Sequence, residues 1–215
     1  MKRLVIFDLD GTLVDTIADL AVSVNHALAQ CGYPCHSVEE YKYLVGSGVD
    51  RLIERAMPPS ERCAENVRLV KAAFLPHYDR HNTDRSRPYE GIVQLLGGLQ
   101  ARGVMMAVAS NKYHAATEKI IGHFFPTTDF VAVFGQREGV PAKPDPAVVL
   151  EIMDLAGVSP AQTLYVGDSG VDMATAAAAG VDPVGVTWGF RPREELEASA
   201  AGTIVDRTEE ILALL

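Results

Sequence analysis

Four short apolar runs rich in β-branched residues restrict this chain more than any other feature: Leu4 to Phe7, Val104 to Ala109, Thr163 to Val166 and Pro183 to Thr187. None alternates with polar residues, so each reads as a strand covered on both faces. Segments long enough for helices separate them, as parallel crossovers require. The expected class is α/β, a doubly wound parallel sheet. Weaker runs at Phe130 to Phe134 and Thr203 to Val205 predict a further strand and an edge strand.

After the first run, Ile17, Leu20, Ala21, Val24, Ala27, Leu28 and Cys31 recur at three- and four-residue spacing, and Gly32 and Pro34 stop that helix. A second strand should follow, yet from Ser37 to about Arg80 the signals stay helical. Ser37 and Glu40 stand at capping-box spacing, Leu44, Leu52, Ile53 and Ala56 share a face, and Val67, Val70, Phe74 and Tyr78 share another. The interruption reads as a small helical domain inserted after the first strand, with the sheet resuming near Pro88 to Gly91, or else as an all-helical layer packed on the sheet. On the first reading the core is 1–15 and 86–215 and the insertion is 16–85.

The length of 215 residues allows one large domain or two unequal ones, and 48% hydrophobic with 22% charged residues excludes disorder. Nineteen basic against 28 acidic residues leave a net charge of -9, which repels nucleic acid and anionic membranes. A few placed cations and a bound metal can still overrule that field for a small phosphate. No apolar run approaches the roughly 18 residues of a membrane span. Cys31, Cys35 and Cys63 match no zinc or disulfide spacing and predict free thiols in a reducing, cytoplasmic compartment. The opening apolar run stops at Asp8, too soon for an export signal. A monomer or homodimer acting on a small molecule is expected.

Asp8-Leu9-Asp10 closes the first strand, where open α/β sheets bind ligands, and Gly11 lets the backbone turn tightly. Turn propensity explains either aspartate alone. It does not explain two like charges held close, which need a cation or a proton between them. Ser110-Asn111-Lys112 ends the next reliable strand, Lys143 lies among Pro141, Pro144 and Pro146, and Gly167-Asp168-Ser169-Gly170-Val171-Asp172 ends the one after. Taken singly, Ser110 reads as a helix N-cap, Lys143 as a solvated lysine, and Ser169 with Asp172 as a capping box. As a set of polar clusters at strand ends they point to one shared crevice.

On those residues the chain resembles the haloacid dehalogenase-like phosphatase superfamily over nearly its full length. Asp8 to Thr12 is similar to the first motif, DxDGT; Ser110 corresponds to the second, Lys143 to the third, and Gly167-Asp168 with Asp172 to the fourth. The insertion is similar to a type-one cap over a Rossmann-like core. The SNK, KPDP, VGDS and GVTWGF segments look most like phosphoglycolate phosphatases, although pyrophosphatases and sugar-phosphate phosphatases share much of them.

The resemblance implies a phosphomonoester hydrolase for a small phosphorylated metabolite, foremost 2-phosphoglycolate, working through an aspartyl-phosphate on Asp8. It implies Mg²⁺ held by the side chains of Asp8 and Asp168 and the carbonyl of Asp10, with Asp172 orienting waters or Lys143. Asp10 would be general acid and then general base, and Lys143 would offset the crowded charge. Ser110 and the amides near Leu9 and Asn111 would hold phosphate oxygens, Thr12 would brace the loop, and Gly46-Ser47-Gly48 would approach the substrate from the cap. Lys42, Arg51 and Arg80 are candidate partners for a substrate carboxylate. A dehalogenase would not need Asp10, a phosphomutase would differ only in its acceptor, and a silent binding protein would lack a motif residue.

Overall fold

All four strong apolar runs and both weak ones form strands of one sheet in the computed structural model, which describes residues 1–199 and 201–215. The chain begins with β1 (Leu4–Phe7) and a two-residue β2 (Val14–Asp15). Four helices follow: α1 (Ile17–Gln30), α2 (Val38–Leu44), α3 (Val49–Ala56) and α4 (Ala64–His81). A short β3 (Arg87–Pro88) then leads to α5 (Ile92–Ala101), β4 (Met105–Tyr113), α6 (His114–Phe124) and β5 (Phe130–Gln136). The rest alternates α7 (Ala147–Ala156), β6 (Thr163–Gly167), α8 (Gly170–Ala179), β7 (Asp182–Val186), α9 (Arg193–Ala198) and β8 (Thr203–Val205).

The sheet order is β5-β4-β1-β6-β7-β8, with every recorded pairing parallel. The chain builds outward from β1 through β4 to β5 and then crosses back to place β6 on the other side of β1. That reversal opens a crevice beyond the carboxyl ends of β1 and β6, the place where such sheets bind ligands. Leu4, Val5, Ile6 and Phe7 are fully buried because helices cover both faces, which explains why the run carries no polar alternation.

The main sheet does not resume near Pro88 to Gly91. Arg87 and Pro88 pair antiparallel with Val14 and Asp15 in a separate ribbon, α5 intervenes, and the sheet returns only at Met105. Proline lacks the N–H a central strand must donate, so this segment suits a ribbon better than a sheet interior. The ribbon stands where the chain leaves for α1 and comes back from α4. Asp19, at the start of α1, clasps the return: its carboxylate accepts from Ser86 N at 2.8 Å, Ser86 Oγ at 2.7 Å and Arg85 N at 3.0 Å.

Helices α1 to α4 pack around Leu20, Val24, Leu28, Ile53, Phe74 and Tyr78, and Ala116 and Phe190 join that cluster from the sheet side. The capping box at Ser37 and Glu40 forms, with the Ser37 N–H donating to Glu40 Oε2 at 2.7 Å. Among the described residues no helix is long and apolar enough to cross a membrane.

Candidate active site

Asp8 follows β1, Ser110 to Lys112 lie at the end of β4, and Asp168 follows β6, so parallel pairing brings all of them to one edge. Ser110 is not an N-cap. β4 runs on through Tyr113, which pairs with Gln136, and α6 starts only at His114, so Ser110 has extended backbone. Its Oγ accepts from the Lys112 amide at 3.2 Å.

Lys143 is the hub of the crevice. Its Nζ donates to Ala109 O at 3.0 Å, Tyr165 Oη at 2.9 Å and Asp172 Oδ1 at 2.7 Å, which uses its three N–H groups. Asp8 Oδ1 lies 2.9 Å from the same Nζ yet makes no directed hydrogen bond. The ammonium therefore lends Asp8 charge and leaves that oxygen free. Asp172 cannot serve as freely: besides Lys143, it accepts from Ser169 Oγ at 2.6 Å in the capping box that opens α8. Asp168 Oδ2 accepts from the Phe190 amide at 2.7 Å. Two glycines make room for it, since a Cβ at Gly11 would come within 2.4 Å of Asp168 Oδ2 and one at Gly189 within 2.3 Å of its Cβ. Gly11 also has φ of 85°, which side-chain-bearing residues rarely adopt.

Asp8, Asp168 and Asp172 each offer an oxygen, and these atoms lie within 4.8 Å of one another. Burial, and repulsion from Asp172 and Asp10, push the Asp8 carboxyl up to about 7 against the pull of Lys143. Burial and the same crowding push Asp168 well above the usual carboxylate range. The donor set is all oxygen, one Asp8 oxygen has no hydrogen bond among the described residues, and Lys143 can offset only one of the three carboxylates once all are ionised. A hard divalent cation fits each of those features.

Asp10 has its own partners. Thr16 Oγ1 donates to Asp10 Oδ1 at 2.5 Å, and Lys112 Nζ lies 3.0 Å from Oδ2. The sequence places Lys112 in the polar cluster that ends β4 without a role of its own, and its pairing with Asp10 arises from tertiary contacts.

Over these groups a cavity of about 60 Å³ is closed by Val45, Val49 and Leu52 of the loop and helix beside Gly46 and Gly48, with Phe74 and Tyr78 of α4. Asp8, Asp10, Ser110, Asn111, Lys143 and Asp168 line it. Ser47 and Thr12 do not. Ser47 is carried between two glycines in a turn, and Thr12 is fully buried behind the wall, its carbonyl accepting from Trp188 Nε1 at 3.0 Å. The Asn111 side chain is already engaged: Nδ2 donates to Gly46 O at 3.0 Å and Lys143 O at 3.1 Å, and Oδ1 accepts from Lys143 N at 2.9 Å. It ties the floor to the loop above rather than offering itself to a ligand.

Lys42, Arg51 and Arg80 do not reach the cavity. Lys42 pairs with Glu39, Arg51 with Glu54, and Arg80 bonds the Pro76 carbonyl of its own helix. The cations in the wall are Lys112, Lys143 and Arg191. Arg191 donates to the carbonyls of Lys42 and Val45, holding the end of α2 down from the sheet side.

The profile of the haloacid dehalogenase-like hydrolases matches residues 5–186. A phosphoglycolate phosphatase from Mesorhizobium japonicum is 38% identical over 204 residues, 93% of this chain and 89% of that protein. One from Pseudomonas putida is 33% identical, covering 99% of this chain and 79% of its own length. The crystal structure of a candidate phosphoglycolate phosphatase from Lactobacillus delbrueckii superposes with a TM-score of 0.93 at 32% identity, over 98% of this chain and 97% of that one.

Proposed function

The chain belongs to the haloacid dehalogenase-like hydrolases, and from that premise we propose that this phosphatase is Mg²⁺-dependent and hydrolyses 2-phosphoglycolate to glycolate and phosphate. The observation that carries the reading is the convergence of Asp8, Asp168 and Asp172 around Lys143 at the carboxyl edge of β1 and β6. Relatives named for this activity supply the substrate.

Asp8 is the nucleophile. Asp8 attacks as its carboxylate, the form that the Lys143 ammonium favours against burial, and its orphaned oxygen has no directed hydrogen bond among the described residues to break before attack. In the first step an Asp8 oxygen bonds to phosphorus, the bond from phosphorus to the ester oxygen breaks, and Asp10 gives that oxygen a proton. In the second, water attacks the aspartyl-phosphate, Asp10 takes the water's proton, and Asp8 leaves as carboxylate with inorganic phosphate. Thr16 and Lys112 hold the Asp10 side chain on both oxygens, fixing it for both transfers. Ser110 Oγ and the adjoining amides bind phosphate oxygens, and Lys143 keeps negative charge from building up around Asp8.

Asp8 and Asp168 through their side chains, and Asp10 through its carbonyl, would hold Mg²⁺. When bound, the ion offsets the repulsion between these acids and a phosphate dianion. Asp172, engaged by Lys143 and Ser169, orients the lysine. We read 16–85 as a cap over a core of 1–15 and 86–215, with Gly46 and Gly48, on either side of Ser47, as the part of it that meets the substrate.

The test is Mg²⁺-dependent phosphate release from 2-phosphoglycolate, pyrophosphate, pyridoxal phosphate and hexose phosphates. The expected result is at least about tenfold higher kcat/KM for 2-phosphoglycolate, equal to about 1.4 kcal/mol. Preference for another ester moves the assignment to that substrate, and transfer to a sugar without phosphate release makes the protein a mutase.

A further inference from the structure

We propose that Lys112 and Tyr78 form the subsite that selects the leaving group, binding a carboxylate carried two bonds from the ester oxygen. The proposal rests on the phosphatase reading above and names the groups that choose the substrate within it.

Lys112 stands out because so little of the protein uses it. Its side chain is 3% exposed, and Asp10 is its one acidic partner within ion-pair distance among the described residues. An ammonium carries three donors, so most of its capacity is left for a ligand. Its other neighbour is an aromatic face: Nζ sits 4.8 Å from the centroid of the Tyr78 ring. That contact keeps the charge attracted to the cavity wall and gives no acceptor.

Tyr78 is unusual in the complementary way. It is fully buried in the wall, and its hydroxyl has no hydrogen-bond partner among the described residues. Leaving a buried donor unmade is costly, and few such groups persist in folded proteins without a use. Packing fixes the ring, stacked on Phe74 with centroids 5.1 Å apart and edge-on to Tyr113 at 6.3 Å. Burial, reinforced by Asp10 and Asp19, pushes the phenol well above its ordinary value, so it can only be neutral and able to donate.

The chemistry of the ester places the third partner. A leaving oxygen that takes a proton from Asp10 sits about 2.6–3.2 Å from that carboxyl. In 2-phosphoglycolate the carbon bonded to this oxygen also bears the carboxylate, so the second anion stays close to Asp10. There it meets the ammonium already in contact with Asp10 Oδ2 and the phenol beneath it. A planar carboxylate accepts from two directions, which matches one ammonium and one hydroxyl. An uncharged alkyl leaving group would leave both donors unmade, and a site with unmade buried donors discriminates strongly.

The experiment compares kcat/KM for 2-phosphoglycolate and for 2-hydroxyethyl phosphate in the wild type, Lys112→Met and Tyr78→Phe. The ratio of the two values should fall about a hundredfold in Lys112→Met and about tenfold in Tyr78→Phe. Tyr78→Phe removes one oxygen that no described protein group bonds, so its thermal midpoint should equal or exceed the wild type's and any change in ratio belongs to the site. Using the ratio also cancels the damage Lys112→Met does to Asp10, which both substrates share. Equal slowing of both esters in both variants overturns the proposal, leaving Lys112 as a holder of Asp10 and Tyr78 as packing. A wild type that releases phosphate but favours neither ester overturns the substrate assignment instead, and one that releases none from either overturns the phosphatase reading.

Discussion

The floor and the roof of the cleft are held by different means. On the floor, Asp8, Asp168, Asp172 and Lys143 come from strand ends and a proline-stiffened loop, and apart from Asp8 each makes directed hydrogen bonds. In the roof, α1 to α4 bury an apolar cluster that Ala116 and Phe190 join from the sheet side, and polar ties connect the two: Asn111 to Gly46, Arg191 to Lys42 and Val45, and Tyr113 and Lys119 to Asp79. Rigid elements fix the reacting groups, and a unit that can be released with few bonds covers them. On the proposals above, bond chemistry belongs to the floor and choice of substrate to the seam where Lys112 of β4 meets Tyr78 of α4.

The largest expected effect tests the floor. Asp8→Asn should lower kcat by about 10⁴-fold or more and abolish trapping of phosphorus on the protein, because it removes the proposed nucleophile of the first step. Its fold should survive, since the change relieves crowding among buried acids. Normal turnover by this variant would move the chemistry away from the floor.

Next in size is the response to Mg²⁺. Burial and mutual repulsion raise both Asp8 and Asp168, so the cluster opposes folding at neutral pH until a cation compensates it. At a hundredfold excess over Kd the ion should add about 2.7 kcal/mol and raise the unfolding midpoint by about 5 to 10 °C. Asp168→Asn should raise the midpoint in EDTA and erase the Mg²⁺ shift. An unchanged shift in that variant would place the ion elsewhere.

The same division governs what could be read from the sequence. Floor residues were legible because the runs that bring them together are unbroken by polar residues, and Asp8 and Asp10 must follow the first of them. The cations of the roof contacts were not. Lys42, Arg51 and Arg80 lie in the right segment, but helix geometry gives each a partner three or four residues away on the surface. Lys112 and Arg191 lie outside that segment and acquire their meaning from Asp10, Tyr78 and the α2 carbonyls, all distant in sequence. The ribbon of β2 and β3 has two residues per strand, too few for any periodicity.

A smaller effect probes the ties. Arg191→Gln removes both charge and reach from the end of α2. KM should rise about tenfold with a smaller change in kcat, as expected when binding rather than bond breaking is weakened. Amide exchange over residues 42–48 should quicken in the same variant, since that segment loses two of its anchors. A fall in kcat at constant KM would instead put Arg191 with the floor.

The smallest effect lies wholly in the roof, at a residue that does not line the cavity. His77 on α4 stacks on His26 of α1 with centroids 4.1 Å apart and lies tilted against His81 at 4.5 Å, and its Nδ1 is 2.9 Å from Ser23 Oγ. Burial first, then repulsion from His26, His81 and Arg80, lowers its pKa below 6.5 against a weaker pull from Asp84. The unfolded chain therefore takes up this proton at a higher pH than the folded one. Stability tied to His77 is complete above pH 6.5 and declines as the pH falls toward the lower folded value. His77→Gln should flatten the fall of the unfolding midpoint between pH 6.5 and 5, leaving kcat at neutral pH as it was. A matching change in the pH dependence of kcat would show that the α1–α4 contact is coupled to the floor, and the two regions would then have to be treated as one.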